Sequence, residues 1–168
     1  VVFSISPDTG KKSIIDGQQR ITSITLLLIY LNHLQTANTQ KVSIGDLIFS
    51  EKYDEKSFNM SDEQREPCLK ALYETGEYII RDDDDETVKN MVARYEDIDE
   101  CFPEELNLQA LPFFIDWFKE NVVIVEITAY SDDNAYLIFE TMNDRGLNLT
   151  PTEMLKGFVL SRITNQKQ

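Results

Sequence analysis

The stretch IIDGQQRITS, residues 14–23, decides how the rest of this 168-residue sequence is interpreted. It places an acid, a glycine, two amides and an arginine, Asp16–Arg20, between an apolar run and the start of a helical pattern. Flexible and polar residues contribute little to packing where a strand hands over to a helix. The pentad Asp16–Arg20 therefore predicts a binding function, and the flanking residues indicate how it is held.

Both flanks of the pentad have clear secondary-structure patterns. Residues 1–5 are typical of a strand, residues 6–10 contain the proline and glycine of a tight turn, and residues 11–15 predict a return strand. After the pentad, apolar residues recur at spacings of three and four from about Gln18 to Gln35. They occupy most sides of the predicted helix, so we expect it to be the central, buried one.

The middle of the chain is acidic and predicted to be helical. Residues 51–105 hold 19 acids and 7 bases, most of the net charge of −14. Pro67 is expected to begin one helix, and the run Asp82–Asp85 to precede and cap another. We interpret this run as solvated capping residues rather than as a metal site. Such a segment repels nucleic acid, which argues against a DNA-binding surface formed by this chain alone, although a basic neighbouring domain could supply one. The buried stripe of the capped helix is predicted to be Val88, Met91, Val92, Tyr95 and Ile98.

The C-terminal third predicts a further helix, a strand and two more helices. The β-branched run Val122–Ile127 predicts the strand. Ser131 is expected to cap a helix over residues 132–143, and a cap, a proline and a glutamate at residues 150–153 predict a last helix over residues 151–163. The helix before the strand has an aromatic face that we interpret as core: Phe113, Phe114, Trp117 and Phe118.

Composition and isolated residues narrow the setting. Cys68 and Cys101 share no metal or redox spacing, which favours a reduced compartment. The single histidine, His33, lies in a mostly apolar helix and is interpreted as structural, which argues against Ser/His and Cys/His nucleophilic schemes. No signal peptide is apparent and the longest apolar run, residues 24–31, is too short to span a membrane, so a cytoplasmic location is expected. The sequence begins without methionine inside a predicted strand, and we expect a piece of a longer protein.

The pentad has the residue types that bind a charged ligand. A helix N-terminus after a glycine forms an anion site, and Gly17 permits close approach of a ligand to the backbone. Arg20 supplies a planar cation suited to phosphate. Gln18 and Gln19 can orient a base, a ribose or a water molecule, and Asp16 can bind a metal, accept from a ribose hydroxyl or orient Arg20. An alternative is that Asp16 only caps the helix and pairs with Arg20. The spacing of a P-loop is absent.

A second polar segment, residues 139–157, lies between two predicted helices. Its candidate residues are Asn143, Arg145 and Gly146 at the break, with Lys156 in the last helix. The alternative interpretation is a helix–loop–helix with a glycine cap.

Both segments carry a family resemblance. Residues 15–23 resemble the DGQQR signature of the GmrSD-type restriction endonuclease N-terminal domain family. Residues 139–143, 145–146 and 149–156 resemble its second signature, in the expected order, and residues 94–97 between them also resemble family members. The resemblance covers nearly the whole chain.

The resemblance implies a fold and an activity. The implied fold is α+β, with a ParB/sulfiredoxin-like small sheet, a large helical insertion at about residues 51–120 and C-terminal helices, in a single domain over residues 1–168. The implied activity is binding and hydrolysis of a nucleoside triphosphate with Mg²⁺, which drives or licenses DNA cleavage in phage defence. Cleavage would fall to a His-Asn-His-type nuclease domain in the same or a partner chain, so DNA is a partner only through other domains. Family members usually also have a segment before the first strand that contributes to the site.

These expectations define a candidate site with two parts. Arg20 and Arg145 are predicted to face one polar cleft built for a charged ligand. The runner-up is a non-enzymatic ParB-like binding module that senses DNA or a protein partner, and a nuclease in its own right is weaker because no complete nuclease constellation is present. The candidate catalytic residues are Asp16, Gln18, Gln19 and Arg20, with Asp16 also the candidate metal ligand; the candidate nucleotide- and phosphate-binding residues are Gly17, Thr22, Asn143, Arg145, Gly146 and Lys156.

Overall fold

The computed structural model describes residues 1–5, 10, 12–52, 55–59, 64–131, 134–135, 137–138 and 141. The strands are β1 (Val2–Ile5), β2 (Lys12–Asp16), β3 (Phe49–Lys52), β4 (Glu55–Phe58) and β5 (Ile127–Ala129). The helices are α1 (Gln18–Leu34), α2 (Gly45–Ile48), α3 (Glu66–Thr75), α4 (Glu86–Cys101) and α5 (Leu111–Asn121), with a 3₁₀ turn at Gln35–Ala37. This mixture confirms the α+β class, while the ParB/sulfiredoxin-like assignment stays a prediction.

The chain divides into two compact units. One contains Val1–Gln18 and the chain from Ile124 onward, and the other contains Gln19–Val123. The second unit is therefore inserted in sequence between the two parts of the first. It holds all five helices named above except the first residue of α1, and it includes the predicted insertion at about residues 51–120. The single-domain assignment over residues 1–168 stays a prediction.

The first unit contains a three-stranded mixed sheet in the order β2-β1-β5. β1 and β2 pair antiparallel with Val2 opposite Asp16, which confirms the predicted hairpin. β1 also pairs in parallel with β5, with Val2 opposite Ile127. Because β1 is the central strand, both hydrogen-bonding edges of this short strand are used.

The predicted strand over Val122–Ile127 is wrong in its bounds. Only Ile127–Ala129 forms β5, whereas the preceding residues are exposed, Val123 by 78%. β1 pairs in parallel with residues 127–129, and Val2 lies opposite Ile127, so the ladder defines β5 from Ile127 onward. The backbone carbonyl of Val125 does accept a hydrogen bond from the amino group of Val1 at 3.0 Å.

The second unit is built around α1. Leu26, Ile29 and Leu31 of this helix are fully buried, which confirms the central helix predicted from the apolar spacing. The pattern is apolar on more than one side because several helices surround α1. The residues that complete its core include Cys68, Leu69 and Leu72 of α3, Val88, Met91, Val92 and Tyr95 of α4, and Leu111 and Ile115 of α5.

Helix starts in the acidic segment agree with the sequence analysis. α3 begins at Glu66, with Pro67 in its first turn, one residue from the predicted start. Asp85 precedes α4, and its carboxylate accepts a hydrogen bond from the Val88 backbone N–H at 2.8 Å. Asp84 accepts from the Tyr78 hydroxyl at 3.0 Å and from the Arg81 N–H at 2.7 Å. The interpretation of this acidic run as capping and turn residues is confirmed.

The aromatic face of α5 is only partly core. Leu111 and Ile115 are buried and Phe114 and Phe118 pack against the core, but Phe113 and Trp117 are 76% and 53% exposed. The interpretation of all four aromatic residues as core is therefore wrong for Phe113 and Trp117. A helix with apolar residues at consecutive positions spreads them over more than its buried side, and the two aliphatic residues take the inward positions.

The β3–β4 hairpin is an element that the sequence analysis did not predict. Phe49 and Phe58 pair across it, with ring centroids 4.5 Å apart. The rings of Phe49 and Tyr73 of α3 pack edge to face, with centroids 4.7 Å apart and an angle of 89° between their planes. The sequence signal for this hairpin was a pair of aromatic residues, Phe49 and Phe58, at the two ends of a mostly polar stretch of even length. Residues at such positions can pair across a hairpin and face the same side of it.

The chain after β5 is described in part. Residues 134, 135, 137, 138 and 141 are helical, and the Ser131 hydroxyl accepts from the Asn134 N–H at 3.3 Å, as predicted for its cap. The predicted last helix over residues 151–163 lies outside the described residues.

Candidate functional site

The pentad Asp16–Arg20 joins a sheet strand directly to the central helix. Asp16 is the last residue of β2 and Gln18 the first of α1, so Gly17 alone makes the turn. Gly17 is buried and has a φ of 97°, a conformation that residues with a side chain rarely adopt. The backbone of the junction therefore requires a glycine at this position.

The two compact units meet within the pentad along the chain. The first unit ends at Gln18, and the second begins at Gln19. Asp16 and Gly17 therefore belong to the unit with the sheet, while Arg20 and Thr22 belong to the unit with the helical core. Along the chain, three residues separate Asp16 from Arg20.

The electrostatics of the helix start favour a negative ligand. The first N–H groups of α1 point out along its axis at the positive end of the helix dipole. The first turn holds no acidic residue, but it does hold Arg20, which is exposed. A cation at this end destabilises the helix by roughly 0.3–1 kcal/mol in exposed sites, because the helix dipole favours negative charge there. Asp16, which precedes the helix and is half-buried, offsets part of this excess of positive charge.

The side chains of the pentad differ in what they contact. The Gln18 amide donates a hydrogen bond to the Ile14 carbonyl of β2 at 3.3 Å, which ties the helix start back to the strand. Gln19 and Arg20 are exposed, and Thr22, two residues after Arg20, is half-buried. Gln19 and Arg20 are therefore accessible to solvent next to the helix terminus.

The second part of the predicted site is not described. Asn143, Arg145, Gly146 and Lys156 lie outside the described residues. The expectation that Arg145 faces Arg20 in one cleft stays a prediction.

The described residues offer a limited set of metal ligands. Within the parts of the chain that the structure describes, no group of three or more His, Cys, Asp or Glu side chains is placed to hold a metal ion. Mg²⁺ at nucleotide sites needs only one or two carboxylates, because phosphates and water fill its other positions. Asp16 fits that role as the one carboxylate of the pentad, and its assignment as a metal ligand stays a prediction.

His33 has a structural environment. One ring nitrogen donates to the Leu72 backbone carbonyl at 2.8 Å and so links the end of α1 to α3. The ring also lies against Gly76, whose φ of 77° ends α3. This arrangement supports the interpretation of His33 as a structural residue.

Comparison with known protein families identifies the family of the chain. The model of the family described as GmrSD restriction endonuclease, N-terminal domain, matches residues 1–160. The chain belongs to this family. The match confirms the resemblance drawn from the two signatures and includes both of them. No curated protein and no solved structure matches the chain.

The described residues of this GmrSD N-terminal domain contain one of the two parts of its candidate site. Among its described residues, no helix is long and apolar enough to cross a membrane. The pentad, its positive-φ glycine and the exposed arginine at the start of the central helix form the described part of its candidate site.

A second feature, which the sequence did not predict, is a cavity beside Tyr30 in the C-terminal half of α1. Its walls include Asp99 and Glu104, which belong to a stretch of five acids and no bases over residues 97–105. That local charge run was visible in the sequence, but nothing in it indicated that aromatic side chains would surround the same cavity.

Proposed function

We propose that this GmrSD N-terminal domain binds a nucleoside triphosphate and hydrolyses it, and that this regulates DNA restriction by a modification-dependent phage-defence protein. The observation that carries the proposal is the junction of β2 and α1, where Gly17 with positive φ leads into a helix whose first turn holds Arg20 and no acid. The first N–H groups and the dipole of such a helix start attract an anion. A triphosphate is the anion that the family resemblance implies.

The roles within the pentad follow from position and contacts. The first N–H groups of α1 and the Arg20 guanidinium bind phosphate oxygens, and Gly17 gives them close access because it has no side chain. Gln18 is tied to the carbonyl of Ile14 and so acts as a positioning residue at the turn. Gln19, which is exposed, is then the better-placed amide to orient the attacking water.

Charge stabilisation is the main demand of phosphoryl transfer. Negative charge spreads over the oxygens of the transferred group, so fixed donors aimed at those oxygens lower the barrier. Arg20 supplies one such cation, and Arg145 is proposed to supply a second from the other part of the site, with Asn143, Gly146, Thr22 and Lys156 completing the contacts. Mg²⁺ held by Asp16 and the phosphates would neutralise further charge.

The partners of the domain follow from its family and its charge. The family name refers to a restriction endonuclease, and a linked nuclease domain, in the same or a partner chain, would carry out the cleavage. The acidic segment over residues 51–105 disfavours direct DNA binding by this domain. DNA is therefore proposed to contact other domains, with the nucleotide state of this one as the signal.

Phosphate release by the full-length protein tests the hydrolysis. We expect release above background with at least one of ATP, GTP, CTP and UTP in the presence of Mg²⁺, and a loss of at least tenfold in Gln19→Ala. Gln40→Ala, which changes an exposed amide in the loop after α1, is the matched control and should retain full activity.

Two results of that assay would contradict the proposal. Background release with all four triphosphates, together with measurable binding, would favour a binding module that senses the nucleotide without hydrolysing it. Background release without binding would favour the module that senses DNA or a protein partner.

A further inference from the structure

The helical unit contains a cavity of about 330 Å³ that is remote in sequence from the pentad. It lies among the second half of α1, the end of α4 and the chain that connects α4 to α5. Cavities of this size are at the small end of those that hold ligands. All of its walls belong to the same compact unit, residues 19–123.

One wall of the cavity is aromatic. Tyr30 is only 8% exposed, and its ring meets Phe102 with centroids 5.1 Å apart at 61°. On its other side the Tyr30 ring contacts Tyr95 at 5.8 Å and 77°. The rings are thus fixed in an edge-to-face cluster, and such rings present electron-rich faces that attract cations.

A second wall carries negative charge. Asp99 and Glu104 line the cavity, and none of the described lining residues is basic. The Tyr30 hydroxyl donates to the Asp99 carboxylate at 2.7 Å, which fixes the position of that carboxylate. Burial, reinforced by the bond to Asp99, raises the pKa of Tyr30, so the hydroxyl stays protonated and keeps its role as the donor to Asp99.

The remaining walls are apolar and held in place by hydrogen bonds. Leu34 and Leu111 supply aliphatic surface on two sides. In the connecting chain, the Asn107 side-chain oxygen accepts from the N–H groups of Gln109 and Ala110 at 3.0 and 3.2 Å. The Asn38 amide also donates to the Leu108 carbonyl, which ties the loop to the chain after α1. The cavity is therefore largely preformed.

We propose that this cavity is a binding site for an organic cation, a guanidinium or ammonium group on a short aliphatic stem. The stem would lie against Leu34 and Leu111, and the charged head would contact Asp99 and the face of the Phe102 ring. Cations of this type bury their stems in apolar surface and keep their heads at polar groups. The same carboxylates would repel a nucleotide, so this ligand is chemically distinct from the one proposed at the pentad.

A titration with n-butylguanidinium, followed by the amide resonances of the full chain, tests the site. Its neutral isostere n-butylurea is the control for shape without charge. We expect saturable shifts for the backbone amides of residues 102–111 with the cation, and at least tenfold weaker binding of the urea, because charge-assisted bonds are about twice as strong as neutral ones. Equal shifts with both compounds would overturn the proposal.

Variants separate a built site from a diffuse acidic surface. Asp99→Asn should weaken cation binding at least tenfold, while Asp97→Asn, the same charge change two residues away on α4, should leave it within twofold. Equal weakening by both variants would show only general attraction by the acidic segment and would overturn the proposal. If Asp99→Asn does not fold, Glu104→Gln gives the same test from the other carboxylate.

A third arm distinguishes the source of the cation. A short neutral peptide with one central arginine carries the same group on a protein backbone. Binding as tight as that of n-butylguanidinium supports an arginine side chain of a partner protein, whereas binding of the free cation alone supports a small-molecule ligand. Binding of neither compound would overturn the proposal.

Discussion

Gly17 is the residue on which the strand-to-helix junction depends. Its φ of 97° is accessible to glycine at no steric cost but strains any residue with a side chain. We expect Gly17→Ala to lower the free energy of unfolding by about 1–2 kcal/mol, measured by urea denaturation.

Gly45 provides the matched control for this change. It lies in the first turn of α2, its φ is outside the positive region and an added Cβ would meet nothing within 4 Å. Gly45→Ala should be neutral or slightly stabilising. Equal effects of the two substitutions would show that the junction has no special backbone requirement.

The two cysteines differ in environment and should differ in reactivity. Cys68 is fully buried in the core, and burial, with a smaller contribution from Asp84, raises its pKa to about 11, whereas Cys101 is exposed. Since the thiolate is the reactive form, a thiol reagent should modify one cysteine per native chain at pH 7–9 and two after denaturation. The Cys101→Ser variant should be unreactive until it unfolds, and rapid labelling of that native variant would contradict the described packing.

The same pKa has a consequence for stability. The native state holds the Cys68 proton more tightly than the unfolded chain does, where the ordinary value is 9.0. The contribution of the protonated Cys68 thiol to the free energy of unfolding is therefore fully present below pH 9 and is lost as the pH rises toward 11. Burial likewise raises the pKa of Tyr95 to about 12, so the loss should continue above pH 10.

At the scale of elements, α4 depends on the cap supplied by Asp85. Its carboxylate accepts from the Val88 N–H at 2.8 Å, and loss of such a cap typically costs about 1 kcal/mol. Asp85→Ala should lower the free energy of unfolding by that amount in urea denaturation. Asp83→Ala removes the same charge from an exposed position two residues earlier and should change it by less than about 0.5 kcal/mol.

Truncations on the two sides of α5 are expected to have different effects on the free energy of unfolding. Ile115 is 1% exposed, and Ile115→Ala should cost about 2–5 kcal/mol. Phe113 is 76% exposed, and Phe113→Ala should change the free energy of unfolding by less than about 0.5 kcal/mol. Urea denaturation of both variants measures the contrast, and a cost for Phe113→Ala similar to that of Ile115→Ala would mean that this side of α5 is covered.

These elements also show what a single sequence can predict. α1, α4 and the β1–β2 hairpin were predictable because their signals are local: apolar spacing, an acidic cap and a turn between two short strands. The start of β5 was not, because its register with β1 is set by tertiary structure rather than by local sequence. The exposure of Phe113 and Trp117 was missed for the same reason, since aromatic composition does not state which side of a helix meets a core.

At the scale of the whole molecule, two compact units share the pentad. The strand-to-helix junction was predictable from sequence, because a strand pattern, a glycine and a helical spacing follow one another directly, whereas the binding roles of its residues stay predictions. Its pairing with Arg145 stays a prediction, since that residue lies outside the described part of the chain. The aromatic and acidic cavity was not foreseen, because Tyr30 and Asp99 are 69 positions apart and meet only in the fold.

The central claim is that Arg20 and the start of α1 bind the phosphates of a nucleotide. Titration of the full-length protein with fluorescent analogues of the four triphosphates, in the presence of Mg²⁺, tests it most directly. Arg20→Ala should weaken binding by about 10- to 100-fold, the value of a charge-assisted bond of roughly 1.5–3 kcal/mol. Arg81→Ala, which removes an exposed arginine from the acidic segment, should leave affinity within about twofold. Equal affinity of wild type and Arg20→Ala for every triphosphate would contradict the account.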